Sequence, residues 1–412
     1  MSLRLATAGE SHGPALVAIL TGLPAGLVLD KEAIDADLRR RQAGYGRSPR
    51  QQIETDEIEV LAGLRHGRTL GTPLALVVRN RDHKNWTWGM SPWPPAGEPQ
   101  GKGTKRVTLP RPGHADLAGV LKYGHDDVRN VLERASARET AARVAVGAVA
   151  RALLAQLDIT IHSHTLAIGS VVAPELPAEL STAAATSDRA ALRRFWEQVE
   201  ESPVRCADAA AGAAMVEAID EAKREGYTLG GICEIAAYGL PAGLGSHVQW
   251  DRKLDGQIAA ALMSIQSVKG VAIGPAFENA LLPGTEVHDV VQYQDGAWRR
   301  TTNRAGGLEG GITNGEPLLA RIAVKPISTM RRALPSADLL TGEQVPAHYE
   351  RSDTAVVPAA GVIAEAMLAF VLANALLEKC GGDSMDEVRR NLDGFVQEQR
   401  CRMPATLSGR DV

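Results

Sequence analysis

The chain has 412 residues, of which 44% are hydrophobic and 23% are charged, and this balance excludes a disordered or collagen-like chain. The formal net charge of −4 and the pI near 6.2 disfavour nucleic acid as a partner of the protein. Any anion binding must therefore come from local clusters of basic residues.

Strand and helix patterns mix along the chain, without a repeat of solenoid period. Runs rich in Val, Ile and Leu predict strands at 16–20, 74–78, 231–237 and 318–324. Helical periodicity predicts helices at 31–41, 140–157, 209–225, 254–264 and 361–379. The helices at 140–157 and 361–379 are apolar on most sides, which predicts a central helical layer covered on both faces in an α/β fold.

Several stretches lack this periodicity. Residues 79–106 are rich in Asn, Trp, Pro, Gly and Lys, and we interpret them as a mobile loop and a candidate lid. Its three tryptophans receive no functional interpretation from the sequence. We expect 176–203 and 294–301 to form surface excursions and the polar tail after Glu398 to fray.

The cysteines and the apolar runs indicate the compartment. Four scattered cysteines without Cys-x-x-Cys spacing indicate neither a zinc site nor a disulfide framework, and they favour a reducing cytoplasm. The first residues show no signal-peptide pattern, and the most apolar run, 362–377, is interrupted by Glu365. We therefore expect a soluble cytoplasmic protein without a membrane partner.

The first candidate site is the sequence Gly-Glu-Ser-His-Gly at 9–13, directly before an apolar strand. Glycines allow close approach of a ligand, and His12 can gain or lose a proton near neutral pH. The pattern favours an acid that acts on a bound anion. A turn that contains one histidine is also ordinary loop chemistry, so this motif alone leaves both interpretations open.

An arginine cluster begins at the end of the first predicted helix and has no acidic residue within its twelve positions: Arg39, Arg40, Arg41, Arg47 and Arg50. Guanidinium groups bind carboxylate and phosphate in bidentate fashion, which favours a small polyanionic substrate. Arg39 and Arg40 can instead complement the helix dipole, so Arg41 and Arg47 are the stronger candidates. Binding of nucleic acid would favour interleaved aromatic residues, which this cluster lacks.

A second histidine loop, Arg-Pro-Gly-His-Ala-Asp at 111–116, again places glycine beside histidine, with Arg111 nearby. At 133–140, Arg134 and Arg138 are four residues apart, which predicts one helical face with Ser136 near the helix start, suited to phosphate. A helix entry with ion pairs to Glu133 and Glu139 is the alternative for this segment.

Three later segments complete the pattern. Residues 303–315 form a glycine-dense loop that can lie against a planar ligand. Lys325 is followed by two hydroxyl side chains, and the triplet Arg-Ser-Asp at 351–353 adds a guanidinium and a carboxylate. Neither a P-loop nor an N-terminal Rossmann fingerprint is present.

The segments that contain His12, His114 and Ser136, with 303–315 and 351–353, resemble in order the signature segments of chorismate synthases. The resemblance spans nearly the whole chain. It implies a single α/β (α+β) domain over 1–412, a large β-α-β sandwich with central helices between its sheets, usually assembled as a homotetramer. The implied reaction is anti-1,4-elimination of phosphate from 5-enolpyruvylshikimate 3-phosphate to give chorismate, with reduced FMN and no net redox change.

The resemblance also implies roles for single residues. His12 would donate a proton to the departing phosphate, and His114 would lie beside the flavin and hold its protonation state. Asp353 would assist the flavin nitrogen that accepts the substrate proton. Substrate anions would be bound by Arg41, Arg47, Arg111, Arg138 and Arg351. FMN would be bound by Arg134, Ala135, Ser136, Gln266, Ser267, Gly310, Lys325, Pro326, Ile327, Ser328, Thr329 and Arg351.

NADPH is a candidate reductant that would share Arg41 and Arg47 with the substrate, and no metal is implied. Ala355 stands where the family commonly has a cysteine, which puts only a structural role of that thiol in question. Two alternatives stay open from the residues: a nicotinamide-dependent flavin reductase and a non-catalytic anion-binding or RNA-binding protein. Whether the protein reduces its own FMN or depends on an external reductase is also open.

Overall fold

The protein's structure is a computed structural model that describes residues 2–48, 54–182, 188–294, 297–347 and 352–401. Two arginines of the motifs, Arg50 and Arg351, and the chain end 402–412 lie outside the described residues.

Seventeen strands and twelve α-helices are present in the described ranges. The strands are β1 Arg4–Ala8, β2 Ala15–Thr21, β3 Ile58–Ala62, β4 Leu64–Arg65, β5 Arg68–Thr69, β6 Leu74–Arg79, β7 Thr160–Ile168, β8 Val171–Val172, β9 Gly231–Tyr238, β10 Val268–Ile273, β11 Val291–Gln294, β12 Ala297–Arg300, β13 Leu308–Glu309, β14 Ile312–Thr313, β15 Leu318–Val324, β16 Pro335–Ala337 and β17 Gln344–Pro346. The helices are α1 Lys31–Gln42, α2 Asp116–Tyr123, α3 Arg129–Ala135, α4 Thr140–Ala155, α5 Ala178–Ser181, α6 Arg189–Glu201, α7 Ala209–Glu225, α8 Leu254–Met263, α9 Ala276–Asn279, α10 Gly284–Val287, α11 Val357–Cys380 and α12 Met385–Cys401.

Two antiparallel sheets carry the fold. One has four strands in the order β1-β2-β6-β3, and the other has five in the order β10-β15-β9-β7-β8. Helix α4 packs against β2 and β6 of the first sheet, and α11 packs against β7 and β9 of the second. The two helices also pack against each other. Hydrophobic side chains from both sheets and both helices join one large core, in which apolar burial is the main stabilising term.

The contact between α4 and α11 is close because of small residues. A Cβ atom at Gly147 would lie 2.2 Å from the Cβ atom of Ala366, so only glycine fits at this crossing. The described helix α11 is long and apolar enough to cross a membrane, but 89% of its most apolar window is buried inside the fold. Core packing therefore accounts for its hydrophobicity.

The predicted mixture of helices and strands is confirmed. All four predicted strands and all five predicted helices are present, although α11 begins at Val357, four residues before its predicted start. Residues 79–106 contain a 3₁₀ helix, Arg81–Asn85, followed by turns, and Trp86 within them is buried. Beyond Glu398, α12 continues to Cys401.

The prediction that 176–203 is only a surface excursion is wrong for α6. Leu192, Trp196 and Val199 repeat at helical spacing and are buried in a second hydrophobic cluster. This cluster includes Ala236 and Tyr238 of β9, whereas Ile235 belongs to the main core. Because successive strand residues point to opposite faces, α6 covers the face of the five-stranded sheet that points away from the main core. Strands β11 and β12 pair in antiparallel register, and residues 295 and 296 lie outside the described ranges.

Candidate functional site

Most of the predicted site residues meet in one pocket of about 370 Å³. Predicted residues that line it are His12, His114, Asp353, Arg41, Arg47, Arg111, Arg138, Ala135, Ser136, Gln266, Ser267, Lys325, Ile327, Ser328 and Thr329. Arg134, Gly310 and Pro326 lie outside its described lining, and Arg351 lies outside the described residues. Loops distant in sequence thus form one largely basic cavity.

The 9–13 loop is fixed by backbone geometry. Gly9 has φ +108°, and a Cβ atom there would lie 2.3 Å from the carbonyl oxygen of Ala15, so this position requires glycine. The backbone N–H of Ser11 donates to the carbonyl of Glu133 at 2.9 Å. The side-chain amide of Asn80, at the end of β6, donates to the carbonyl of Gly13 at 2.8 Å. The loop is therefore held from both sides beside the pocket.

His12 is 6% exposed and pairs with a buried carboxylate. Its Nδ1 lies 2.9 Å from Oε2 of Glu133, and its backbone N–H donates to the same oxygen at 2.9 Å. Burial raises the pKa of Glu133, but hydrogen bonds from His12 and its charge outweigh burial and hold that pKa below its usual range. An ionised Glu133 therefore faces the imidazole.

His114 has a similar partner. Its Nδ1 contacts Oδ1 of Asp116, and Nε of Arg111 donates to Oδ2 of Asp116 at 2.8 Å. Burial raises the pKa of Asp116, yet the hydrogen bonds from His114 and Arg111 bring it well below its usual range. Lys325 donates to the carbonyl of Gly113 at 2.8 Å and links the 325–329 segment to this loop. The pKa of Lys325 is lowered by burial and by the nearby charge of Lys269.

The arginines of the pocket share few carboxylates. Asp56 accepts from Arg41 at 2.7 Å and from Arg138 at 2.6 Å. Arg47 lies 3.2 Å from Asp353, whose other oxygen accepts from the backbone N–H of Ser48 at 2.6 Å. Burial lowers the pKa of Arg41 to about 10, and the charges of Arg138 and Arg47 add to the decrease against the opposing effect of Asp56.

Three buried polar atoms of this pocket have no hydrogen-bond partner among the residues that the structure describes: Nε of Arg41, Nε of Arg47 and Oε1 of Gln266. Buried polar groups are normally satisfied, so such atoms in a cavity indicate the position of a ligand. Two of them are cationic donors, which favour an anion.

The prediction that Arg134 and Arg138 share one helical face is wrong. Helix α3 ends at Ala135, and Ser136 is extended, with its hydroxyl accepting from the backbone N–H of Arg138 at 3.3 Å. Arg138 consequently turns into the pocket. Arg134 turns away and donates to the carbonyls of Gly9 at 3.1 Å and Thr7 at 3.0 Å.

The glycine-dense segment lies apart from the described lining. Gly310 is in the turn between β13 and β14, and a Cβ atom there would lie 3.9 Å from the Cβ atom of His247. Arg39 and Arg40 are also outside the pocket, with partners Glu32 and Glu365. Among the described residues, no group of three His, Cys, Asp or Glu side chains is placed to hold a metal ion.

Sequence reasoning did not identify the acidic partners of the site. Asp116 could have been found, because it follows His114 by two residues. Glu133 was interpreted only as an ion-pair partner of neighbouring arginines. Asp56 and Asn80 carry no sequence signal, because their partner Arg138 is 82 and 58 residues away along the chain.

A pocket that combines four arginines with two carboxylate-paired histidines is typical of enzymes that act on anionic substrates. A family model described as chorismate synthase matches residues 3–377. Chorismate synthases of Solibacter usitatus and Leifsonia xyli are each 54% identical over 398 residues, covering 96% of this chain and 99% and 96% of theirs. A crystal structure of chorismate synthase is similar with a TM-score of 0.77 and 41% identity, over 97% of this chain and 99% of that one. The chain belongs to the chorismate synthase family, whose enzymes are lyases that eliminate phosphate.

Proposed function

We propose that the protein converts 5-enolpyruvylshikimate 3-phosphate to chorismate and phosphate by anti-1,4-elimination, with reduced FMN and no net redox change. Family membership supplies the reaction. The observation that carries the proposal to this chain is the convergence of two carboxylate-held histidines and four arginines on one pocket. Neither alternative, a flavin reductase or an RNA-binding protein, receives support from the comparisons.

The arginines would bind the anions of the substrate. It carries two carboxylates and a phosphate, and the guanidinium groups of Arg41 and Arg47 line the pocket with Nε atoms that have no partner among the described residues. Arg111 and Arg138 are already oriented by Asp116 and Asp56, so they need little rearrangement to act. Arg351, outside the described residues, stays a prediction.

A second group of lining segments fits a flavin. Ala135, Ser136, Gln266, Ser267 and 325–329 would hold FMN, and the buried Oε1 of Gln266 can accept a hydrogen bond from a ligand N–H. When bound in reduced form, FMN would supply the electron that helps the C–O bond to phosphate break. Arg134, Gly310 and Pro326 remain predictions for this site without support from the described lining. NADPH would be the reductant, and it would bind to Arg41 and Arg47, which the substrate also uses.

Protons would be handled by three side chains. His12 would give its proton to the departing phosphate. Glu133 contacts Nδ1 of the imidazole, which leaves Nε2 as the ring nitrogen that would act on the phosphate. His114, fixed by Asp116, would hold a proton beside the flavin site. Asp353 would assist removal of the substrate proton, and Arg47 and the backbone of Ser48 hold its carboxylate in place.

Architecture and location complete the proposal. The chain would form a single β-α-β sandwich over 1–412, supported by the packing of α4 and α11 against different sheets. The chain would assemble into a homotetramer, as its membership of the chorismate synthase family implies. We place the protein in the cytoplasm.

Phosphate release under anaerobic conditions tests the function. We expect the protein with reduced FMN to release phosphate continuously from the substrate, and the protein with oxidised FMN to release none. Steady NADPH consumption without the phosphorylated substrate would instead support a flavin reductase. Salt-dependent RNA binding without flavin binding would support the non-catalytic alternative.

A further inference from the structure

Trp86 lies in the 79–106 segment and contacts His12 directly. The indole is 8% exposed, and its ring centre lies 4.0 Å from that of the imidazole with 27° between the planes. The indole N–H donates to Oδ2 of Asp82 at 2.9 Å, so the ring is anchored at its far edge. Trp86 therefore defines one wall against which the imidazole lies.

Arg129 connects this wall to the carboxylate partner of His12. Its guanidinium lies 5.0 Å from the ring centre of Trp86 and donates to Oε1 of Glu133 at 3.2 Å. Glu133 in turn contacts Nδ1 of His12. The four side chains form a closed cage in which each member contacts two others.

We propose that Trp86 and Glu133 are positioning residues for His12: Trp86 fixes the plane of the imidazole, and Glu133 holds its Nδ1 atom. This inference rests on the proposed function, in which His12 gives a proton to the leaving phosphate. The 79–106 segment then acts in the reaction through one buried side chain. A carboxylate at hydrogen-bond distance from a ring nitrogen and an indole stacked on the ring both restrict the orientation of an imidazole.

Other ionisable groups also face this cage. Arg129 donates to Glu133, and the ring of His83 contacts the carbonyl oxygen of His12 at 2.9 Å. Asp82 accepts from the indole N–H of Trp86, and the ammonium group of Lys102 lies 5.9 Å from the ring centre of Trp86. The first test therefore changes Glu133 alone and leaves these groups in place.

The first measurement is the tautomer ratio of the His12 imidazole, read from the NMR shifts of its ring nitrogens in the protein without substrate or flavin, at a pH where the ring is neutral. A carboxylate can only accept from Nδ1, so one tautomer should dominate in the unsubstituted protein. In Glu133→Gln both tautomers should be populated, because an amide can donate to Nδ1 or accept from it. Asp126→Asn is the matched control, because Asp126 is exposed and pairs with Arg106 instead. An unchanged tautomer ratio in Glu133→Gln overturns the role of Glu133.

The second measurement is the rate of phosphate release. Trp86→Ala should lower kcat about tenfold or more with little change in KM, because a misplaced acid loses rate rather than binding. Trp86→Phe should recover most of the rate, since it restores an aromatic wall. Trp93→Ala in the same segment is the control, because Trp93 is 78% exposed. Equal losses in Trp86→Phe and Trp86→Ala would overturn the role of Trp86.

The tautomer ratio separates positioning from simple loss of fold, because it is read from the folded variant. The measurement needs no turnover, so it decides the coupling of Glu133 to His12 by itself. Absence of phosphate release by the unsubstituted protein would overturn the proposed function instead.

Discussion

Arg40 and Arg41 are neighbours on α1, yet they belong to two different kinds of arginine cluster. Arg40 forms a bidentate pair with Glu365 of α11, at 2.8 and 3.0 Å, and Arg151 and Arg205 donate to the same carboxylate. Arg41 instead shares Asp56 with Arg138 and leaves its Nε without a partner among the described residues. In the cluster around Arg40, which we call the closed cluster, acidic side chains pair with the arginines. In the cluster around Arg41, two arginines share one carboxylate.

The pKa values reflect the same difference. Burial lowers the pKa of Arg40, but the charge of Glu365 and hydrogen bonds to Glu200 and Glu365 outweigh it, so the net pKa is raised. For Arg41, burial lowers the pKa to about 10, and nearby arginines add to the decrease. A buried arginine that shares its carboxylate partner with a second arginine favours the binding of a further anion. The comparison therefore separates arginines that hold the fold from arginines that serve the pocket.

The largest expected effect comes from breaking the closed cluster. Glu365→Ala should reduce the free energy of unfolding by about 3–5 kcal/mol, because it leaves three arginines around a carboxylate that is no longer there. Urea unfolding measures this loss. Glu378→Ala, on the exposed side of the same helix, is the control and should cost at most about 1 kcal/mol. Similar losses in both variants would contradict the closed cluster.

The same carboxylate predicts a pH dependence. Burial raises the pKa of Glu365, but the charges of Arg40, Arg151 and Arg205 hold it well below 4.5, its ordinary value. The unfolded chain therefore binds this proton first, so the stability from Glu365 is present above about pH 4.5 and is lost as pH falls through the depressed pKa. Urea unfolding from pH 7 downwards should show a shallower acid decline in Glu365→Gln than in the unsubstituted protein. Parallel declines would contradict this assignment.

The pocket should respond in rate rather than in stability. His12→Ala and His114→Ala should each lower the single-turnover rate of phosphate release roughly 10²-fold or more, as loss of a general acid commonly does. His125→Ala, an exposed histidine outside the described pocket lining, is the control. Unchanged rates in both pocket variants would refute their roles.

The smallest expected effect concerns binding. Arg47→Lys keeps the charge but removes the planar fork, so substrate affinity should fall about tenfold, equal to about 1.4 kcal/mol. Arg39→Lys is the matched control, because Arg39 is on the exposed side of α1 and pairs with Glu32. Isothermal titration with the substrate measures both. Equal affinity of Arg47→Lys and the unsubstituted protein would remove Arg47 from the binding site.

Much of the fold and site could be predicted from local patterns. The apolar helices α4 and α11 are visible in sequence because burial on most sides removes their polar face. Arg41 and Arg47 were separable from Arg39 and Arg40, and the structure places only the first pair in the pocket. Long-range partners could not be predicted, because Glu133 reaches His12 across 121 residues.

Local sequence patterns also led to two wrong predictions. The run from Glu133 to Thr140 has helical composition, yet Ser136 takes an extended conformation and caps the next turn, which separates Arg134 from Arg138. In 176–203, a polar surface pattern obscured α6, whose buried stripe contains only Leu192, Trp196 and Val199. In the first case a local side-chain cap interrupts the helix, and in the second the apolar stripe that marks the helix has only three residues.

The stoichiometry of one turnover tests the central claim most directly. Protein saturated with reduced FMN is mixed anaerobically with one equivalent of substrate, and phosphate and the flavin spectrum are followed together. The account predicts about one equivalent of phosphate per site and a flavin that is still reduced at the end. Phosphate release at the same rate without flavin, or flavin oxidised in proportion to the phosphate released, would contradict it.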